Sequence, residues 1–228
     1  MKYIKNLILG TALLGITGVA QAVPTLYYST TGVAGSYVIA NISALGTTSY
    51  SSSIGSWYFN VIIGNTAPAV GTAGTPTMTL SIQSATTAAG TLYIGFANDG
   101  YTGLGSINAT LTGQVVSAPP HGLETYAYTT FADISNVQPI NTLPTGSTIT
   151  SLSGSLDANV NASGALPLTA PYVLGELVQI TASDASSYSI NANFGFTPAG
   201  VSDGGMTLAM LGFGLAALGI ARRKLAGA

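Results

Sequence analysis

Along the middle of the chain, apolar and polar residues alternate one by one. In Thr77–Gln83, Met78, Leu80 and Ile82 fall on one side, and Thr77, Thr79, Ser81 and Gln83 on the other. In Ser187–Phe196, Tyr188, Ile190, Ala192, Phe194 and Phe196 oppose Ser189, Asn191, Asn193 and Gly195. Trp57, Phe59, Val61 and Ile63 make a third apolar series, and Ile107, Ala109 and Leu111 a fourth. Successive side chains of a strand leave on opposite faces, so each series reads as a strand with one buried face. The same reasoning predicts strands at Leu26–Thr31, Tyr37–Ser43, Thr91–Ala97, Thr125–Phe131, Ile149–Val160 and Tyr172–Ala182. Clusters such as GNTAPAVGTAGTP and NDGYTGLGS separate them, as turns require. About ten strands in roughly 180 residues predict one all-β domain over 23–200, an antiparallel β-sandwich or jelly-roll-like fold.

Both ends break this pattern. At the N-terminus Lys2 and Lys5 precede an apolar run from Leu7 to Val19 and then Ala20-Gln21-Ala22. A basic region, a short apolar core and a small-x-small site make residues 1–22 a secretory signal peptide, with cleavage before Val23. At the C-terminus Gly204–Ala221 contains no charge and is rich in Leu, Ala, Met and Gly. It reaches the low end of a bilayer span, about 17–25 residues. Arg222, Arg223 and Lys224 follow as a stop-transfer cluster. With the N-terminus exported, that cluster stays cytoplasmic, and the predicted helix spans once with the body outside.

Charge sharpens this division. Only 5% of the 228 residues are charged, there is no cysteine, and the formal net charge is -2. All five basic residues lie in the two ends, so the stretch from Val23 to Gly200 has no Lys or Arg. It carries Asp99, Glu124, Asp133, Asp157, Glu176 and Asp184. A body without cations does not neutralise phosphates, which excludes nucleic acid as a partner. The lack of cysteine removes disulfides, thiol nucleophiles and thiolate metal sites. The solvated strand faces carry Thr, Ser and Asn, so edges lack the lysines that discourage strand association, and self-assembly is permitted.

The tail resembles that of the PEP-CTERM family of bacterial surface proteins: a short acidic motif, glycines, an apolar helix and a terminal basic cluster. Val201-Ser202-Asp203-Gly204-Gly205 resembles the Val-Pro-Asp-Gly-Gly variant, with Ser202 where that variant has proline. The body is similar more diffusely, through Trp57–Ile63, Thr77–Ile82, Leu92–Asp99 and Pro171–Ile180. The resemblance implies export, transient anchoring in the inner membrane, and processing by signal peptidase and an exosortase-like membrane protease. It further implies delivery to the cell surface or extracellular matrix, with a structural or adhesive role in exopolysaccharide or biofilm.

Catalytic chemistry is thinly represented. His121, in SAPPHGLE, is the lone histidine, with Glu124 as a carboxylate to orient it, but Gly-x-Ser-x-Gly and His-Glu-x-x-His are both absent. The expectation is therefore a non-enzyme. For binding, Asp157, Asn159 and Asn161 alternate along one strand face and offer hard oxygen ligands suited to calcium. Ala162 and Leu168 stand where an EF-hand loop needs Gly and Glu, so a solvated polar face competes with that reading. Asn98-Asp99-Gly100 reads as a turn with a weaker calcium alternative. Tyr126 and Tyr128 share a face and form a candidate sugar-stacking pair, against the alternative that alternating aromatics fill the core. A carbohydrate- or calcium-binding surface module is thus the second functional expectation; no cofactor other than calcium is expected.

Overall fold

In the computed structural model, the alternation is realised as strands throughout residues 24–40, 46–67, 69–117, 124–135, 147–155, 159–166 and 169–199, which are the residues described. In chain order these are β1 Thr25–Ser29, β2 Val38–Ala40, β3 Thr47–Ile54, β4 Trp57–Asn65, β5 Met78–Thr86 and β6 Gly90–Tyr101. β7 Gly105–Ser117, β8 Thr125–Asp133, β9 Ser147–Ser155, β10 Asn159–Ala165, β11 Tyr172–Ala182 and β12 Ser186–Pro198 complete the set. Contacts divide the chain into Met1–Thr197 and Pro198–Ala228. The predicted signal segment, sorting motif and apolar tail lie outside the described residues. Among the described residues no helix is long and apolar enough to cross a membrane.

The strands form two six-stranded sheets, β2-β1-β6-β11-β8-β9 (sheet A) and β10-β7-β12-β5-β4-β3 (sheet B). The chain changes sheet at every connection from β5 to β8 and again from β9 to β12. The expected all-β domain of two antiparallel sheets is therefore present. Its inner faces follow the predicted alternation except in β4, whose register to β5 shifts between Val61 and Ile63, so that Ile63 pairs with Ser81 instead of continuing the series Trp57, Phe59, Val61. Across sheet B, Phe59 stands beside Ser84 and Tyr188, and Val61 beside Ile82 and Ile190. Across sheet A, Tyr28, Ile94, Val178, Tyr128 and Leu152 form one row. These rows meet in one apolar core. Fully burying each large side chain is worth about 1.5–3 kcal/mol, which is why the apolar phase of each strand points inward.

Two expectations are corrected, and one strand, β3, lies outside those predicted. Ile149–Val160 is not one strand: β9 ends at Ser155 in sheet A and β10 begins at Asn159 in sheet B. Leu152 of β9 and Val160 of β10 pack on one core from opposite sheets, so their shared phase continues through a change of sheet, whereas Ile149 lies at the register shift of β9 against β8. β3 (TTSYSSSI) carried too few apolar residues to be predicted. It is held by Tyr50 and Ile54 against the core, and by Tyr28 Oη at 3.1 Å from Tyr50 Oη and 3.2 Å from Ser52 Oγ. Asn98-Asp99-Gly100 lies within β6 rather than at a turn. Asn98 is buried and its Nδ2 donates to the Ala67 carbonyl at 3.1 Å, while the register of β11 shifts opposite, between Tyr172 and Leu174.

The outer face of sheet A bears a second cluster, Tyr27, Tyr37, Ala97, Phe131 and Val173. Here the rings of Tyr27 and Phe131 lie on Gly95 and Gly175. A Cβ at Gly95 would stand 2.0 Å from the Tyr27 ring, and one at Gly175 would stand 2.2 Å from the Phe131 ring.

Candidate functional site

The outer face of sheet B is the polar phase of the alternation, broken by the exposed apolar side chains Tyr58, Ile62 and Val116, of which Tyr58 is the aromatic one. β3 and β4 are joined by the two residues Gly55-Ser56, with Gly55 at φ 60°, a conformation that favours glycine in a tight hairpin. This turn sets Trp57 inward, at 2% exposure, and Tyr58 outward, at 56%. Register then places Ala85 and Ser187 beside Tyr58, and Gln83 and Ser189 beside Asn60. Tyr58, Asn60, Gln83, Ser84, Ala85, Val116, Ser187 and Tyr188 line a hollow of about 380 Å³. A second hollow of about 200 Å³ is lined by Thr112, Gly113, Gln114, Ser189 and Asn191. Ser187 of the first and Ser189 of the second lie two residues apart on one face of β12, so the two hollows lie side by side as a groove over four strands.

Every residue lining this groove is uncharged. Its polar groups are amides and hydroxyls, and two of the amides are oriented by neighbouring serines. Ser51 Oγ donates to Asn60 Oδ1 at 3.0 Å, and Ser81 Oγ donates to Asn191 Oδ1 at 2.7 Å. Each amide therefore retains its NH2 group as a donor. The Tyr58 ring supplies an apolar face with a polar tip. Such a surface can stack against a C–H face while exchanging hydrogen bonds with neighbouring hydroxyls. Its lining contains no carboxylate, imidazole or thiol.

The buried polar groups lie elsewhere. Glu176 is fully buried on the inner face of sheet A, in a row with Leu26, Phe96, Thr130 and Thr150. Tyr128 Oη donates to its Oε2 at 2.7 Å, and Oε1 has no partner. Burial raises the Glu176 carboxyl to about 8, against the smaller lowering effect of the Tyr128 hydrogen bond. Burial, with the adjacent Glu176, likewise raises Tyr128 well above the usual phenol range. A neutral acid is the physical outcome where no cation is available to pair with it.

The sequence-derived candidates separate accordingly. Tyr126 and Tyr128 do share a face, but it is the inner one: they are 2% and 0% exposed, so the proposed stacking pair is core. Desolvation raises the Tyr126 phenol too. Asn159 and Asn161 are exposed on edge strand β10, whereas Asp157 lies outside the described residues. Among the described residues no group of three or more His, Cys, Asp or Glu side chains is arranged to hold a metal ion. His121 lies outside the described residues, and Glu124 is buried with Oε1 unpartnered. Ala20, Ala22 and Val23, the motif Val201-Ser202-Asp203-Gly204-Gly205, and Arg222, Arg223 and Lys224 lie outside them as well. Sequence reasoning missed Tyr58 and Glu176, although both had a signal. Tyr58 is an aromatic in the polar phase of its strand, and Glu176 an acid in the apolar phase of Leu174, Val178 and Ile180.

No family model and no curated protein matches the chain. Among solved structures it is similar to the carbohydrate-binding module TmCBM61, solved with β-1,4-galactotriose, at 6% identity and a TM-score of 0.35, covering 63% of this chain and 88% of that one. It is also similar to the C-terminal family 22 carbohydrate-binding module of Clostridium thermocellum Xyn10B, at 12% identity and 0.31, covering 70% and 99%. A third is the enzymatically active domain of tailspike protein 4 of bacteriophage CBA120, at 12% and 0.34, covering 68% of this chain and 22% of that one. At such scores the likeness carries no function to this chain.

Proposed function

We propose that this protein is an exported, non-catalytic surface protein that binds a neutral polysaccharide along the outer face of sheet B. The observation that carries this reading is the uncharged groove with Tyr58, Asn60 and Gln83 at its β4–β5 end and Gln114 and Asn191 at its β7–β12 end. A pyranose has an apolar C–H face and a rim of hydroxyls, which match a phenol ring flanked by amides. The charge distribution sets the polymer class. With six acidic residues, of which buried Glu176 is held neutral, and no Lys or Arg between Val23 and Gly200, the body repels polyuronates and sulfated or phosphorylated glycans. The groove contains no carboxylate, so binding needs no calcium.

Delivery belongs to the ends of the chain. The signal segment 1–22 directs export, and the PEP-CTERM-like tail 201–228 retains the protein at the membrane until an exosortase-like enzyme releases it to the surface or matrix. This reading rests on the tripartite tail and its acidic-glycine motif. A matrix rich in neutral exopolysaccharide is the setting in which the groove and the tail serve one end, adhesion within that matrix.

Affinity electrophoresis against neutral and anionic polysaccharides tests the groove. Retardation by at least one neutral polymer is expected, unchanged by EDTA and little changed by salt. Tyr58→Ala is expected to weaken it about tenfold, about 1.4 kcal/mol, without altering the thermal transition, because the ring is exposed. Binding confined to anionic polymers, or equal binding by Tyr58→Ala, would sink the reading.

A further inference from the structure

Sheet edges expose unpaired backbone groups, and most edges of this sandwich are guarded. β2 at one edge of sheet A has only three residues. β9 and β10, the last strand of sheet A and the first of sheet B, meet: a Cβ at Gly164 of β10 would stand 2.4 Å from the Ile149 carbonyl of β9. β3 differs. It is eight residues long, ends sheet B, and contains no Lys, Asp, Glu or Pro. Among the described residues, no strand pairs with its outer edge. Its register to β4 shifts between Thr48 and Tyr50, so its regular part is Tyr50–Ile54.

We propose that β3 is a self-association edge, pairing antiparallel with β3 of a second copy to join two sheets B into one. A second copy fits this edge better than a foreign strand for two reasons. Self-pairing is isologous, so each residue meets its own strand's chemistry, and here Ser51 and Ser53 meet serines with no like charges opposed. The inward Tyr50, Ser52 and Ile54 must also continue a half-buried face, and a second β3 has the matching polarity on both faces.

The geometry has a consequence for the groove. The two-fold axis of an antiparallel pair is perpendicular to the sheet, so both copies turn the outer face of sheet B to the same side. Tyr58 stands beside Ser53 of β3. At about 4.8 Å between strands, the two β4 strands lie about 14 Å apart. The dimer thus presents two grooves in one plane, with only serine-bearing strands between them. This last step rests on the glycan reading above. The pairing itself does not.

Because the chain has no cysteine, single-cysteine variants report the contact without background. Ser49→Cys, Ser51→Cys, Ser53→Cys and, as a control at the other end of sheet B, Asn161→Cys are made in the full chain and mildly oxidised. A disulfide-linked dimer is expected at one or more of the β3 positions and not at Asn161. Sedimentation across a concentration series is expected to show reversible dimerisation, weakened at least tenfold by Ser51→Lys combined with Ser53→Lys. These side chains are at the exposed edge, and an unchanged thermal transition checks that the fold is retained. Monomer at every concentration, association that survives the double lysine variant, or equal cross-linking at Asn161 overturns the proposal. Loss of glycan binding in Tyr58→Ala with dimerisation intact confirms that the two readings are separate. Persistent dimerisation with no neutral glycan bound removes the groove reading and leaves the pairing standing.

Discussion

At the scale of the residue, Glu176 shows how much a charge-poor composition constrains chemistry. A carboxyl at 0% exposure among Phe96, Thr130 and Tyr128 has no cation to pair with, so it keeps its proton well above the ordinary range. Its folded value of about 8 lies above the ordinary value of 4.5. The folded state therefore holds a proton that the unfolded chain releases. The stability contributed is complete below pH 4.5, declines as pH rises through that window, and levels off above about 8. Glu176→Gln keeps an acceptor for the Tyr128 hydroxyl and cannot ionise. Denaturant titrations of both forms should show the wild type losing a few kcal/mol between pH 5 and 8, at about 1.4 kcal/mol per unit of displacement, and the variant staying nearly level. Parallel pH profiles would mean that Glu176 is already ionised in the fold.

At the scale of the element, the glycines of β6 and β11 act through what lies on them. Gly95 and Gly175 allow the Tyr27 and Phe131 rings to rest on the backbone of sheet A, which a side chain would prevent. Gly175→Ala places a methyl against the Phe131 ring and should cost about 1–3 kcal/mol as an overpacking defect. Combining it with Phe131→Leu should cost less than the sum of the two, since the smaller side chain removes the clash. Strict additivity in thermal unfolding would show that the ring and the glycine are not coupled. Strand existence was legible wherever one face is apolar, as in β5 and β12. β3 was not legible because hydroxyl bonds to Tyr28, made across the sandwich, substitute for a full apolar face.

At the scale of the whole molecule, segregation of charge sets the two ends apart from the body. All five cations flank the apolar ends. If both ends are removed, the mature protein carries no positive side chain. Mass spectrometry of the secreted form should then show loss of everything before Val23 and of residues after about Asp203. Recovery of a cell-associated chain ending at Ala228 would mean a single-pass anchor instead. Trypsin will leave the body uncut for want of Lys and Arg, so the mapping needs a protease of different specificity.

The sequence by itself determined the class of fold, the export and sorting expectations and the functions to be excluded, because period two and charge are properties of order along the chain. It left the faces undecided. Tyr126 and Tyr128 look the same in sequence as exposed stacking residues, and Tyr58, between Trp57 and Phe59, is marked only by its phase. Only the pairing of sheets A and B decided that the first two are enclosed and the third is presented, since which face meets the other sheet is fixed by contacts distant in sequence. The same distant contacts decided that Glu176 is enclosed, that Ile149–Val160 changes sheet, and that β3 ends sheet B.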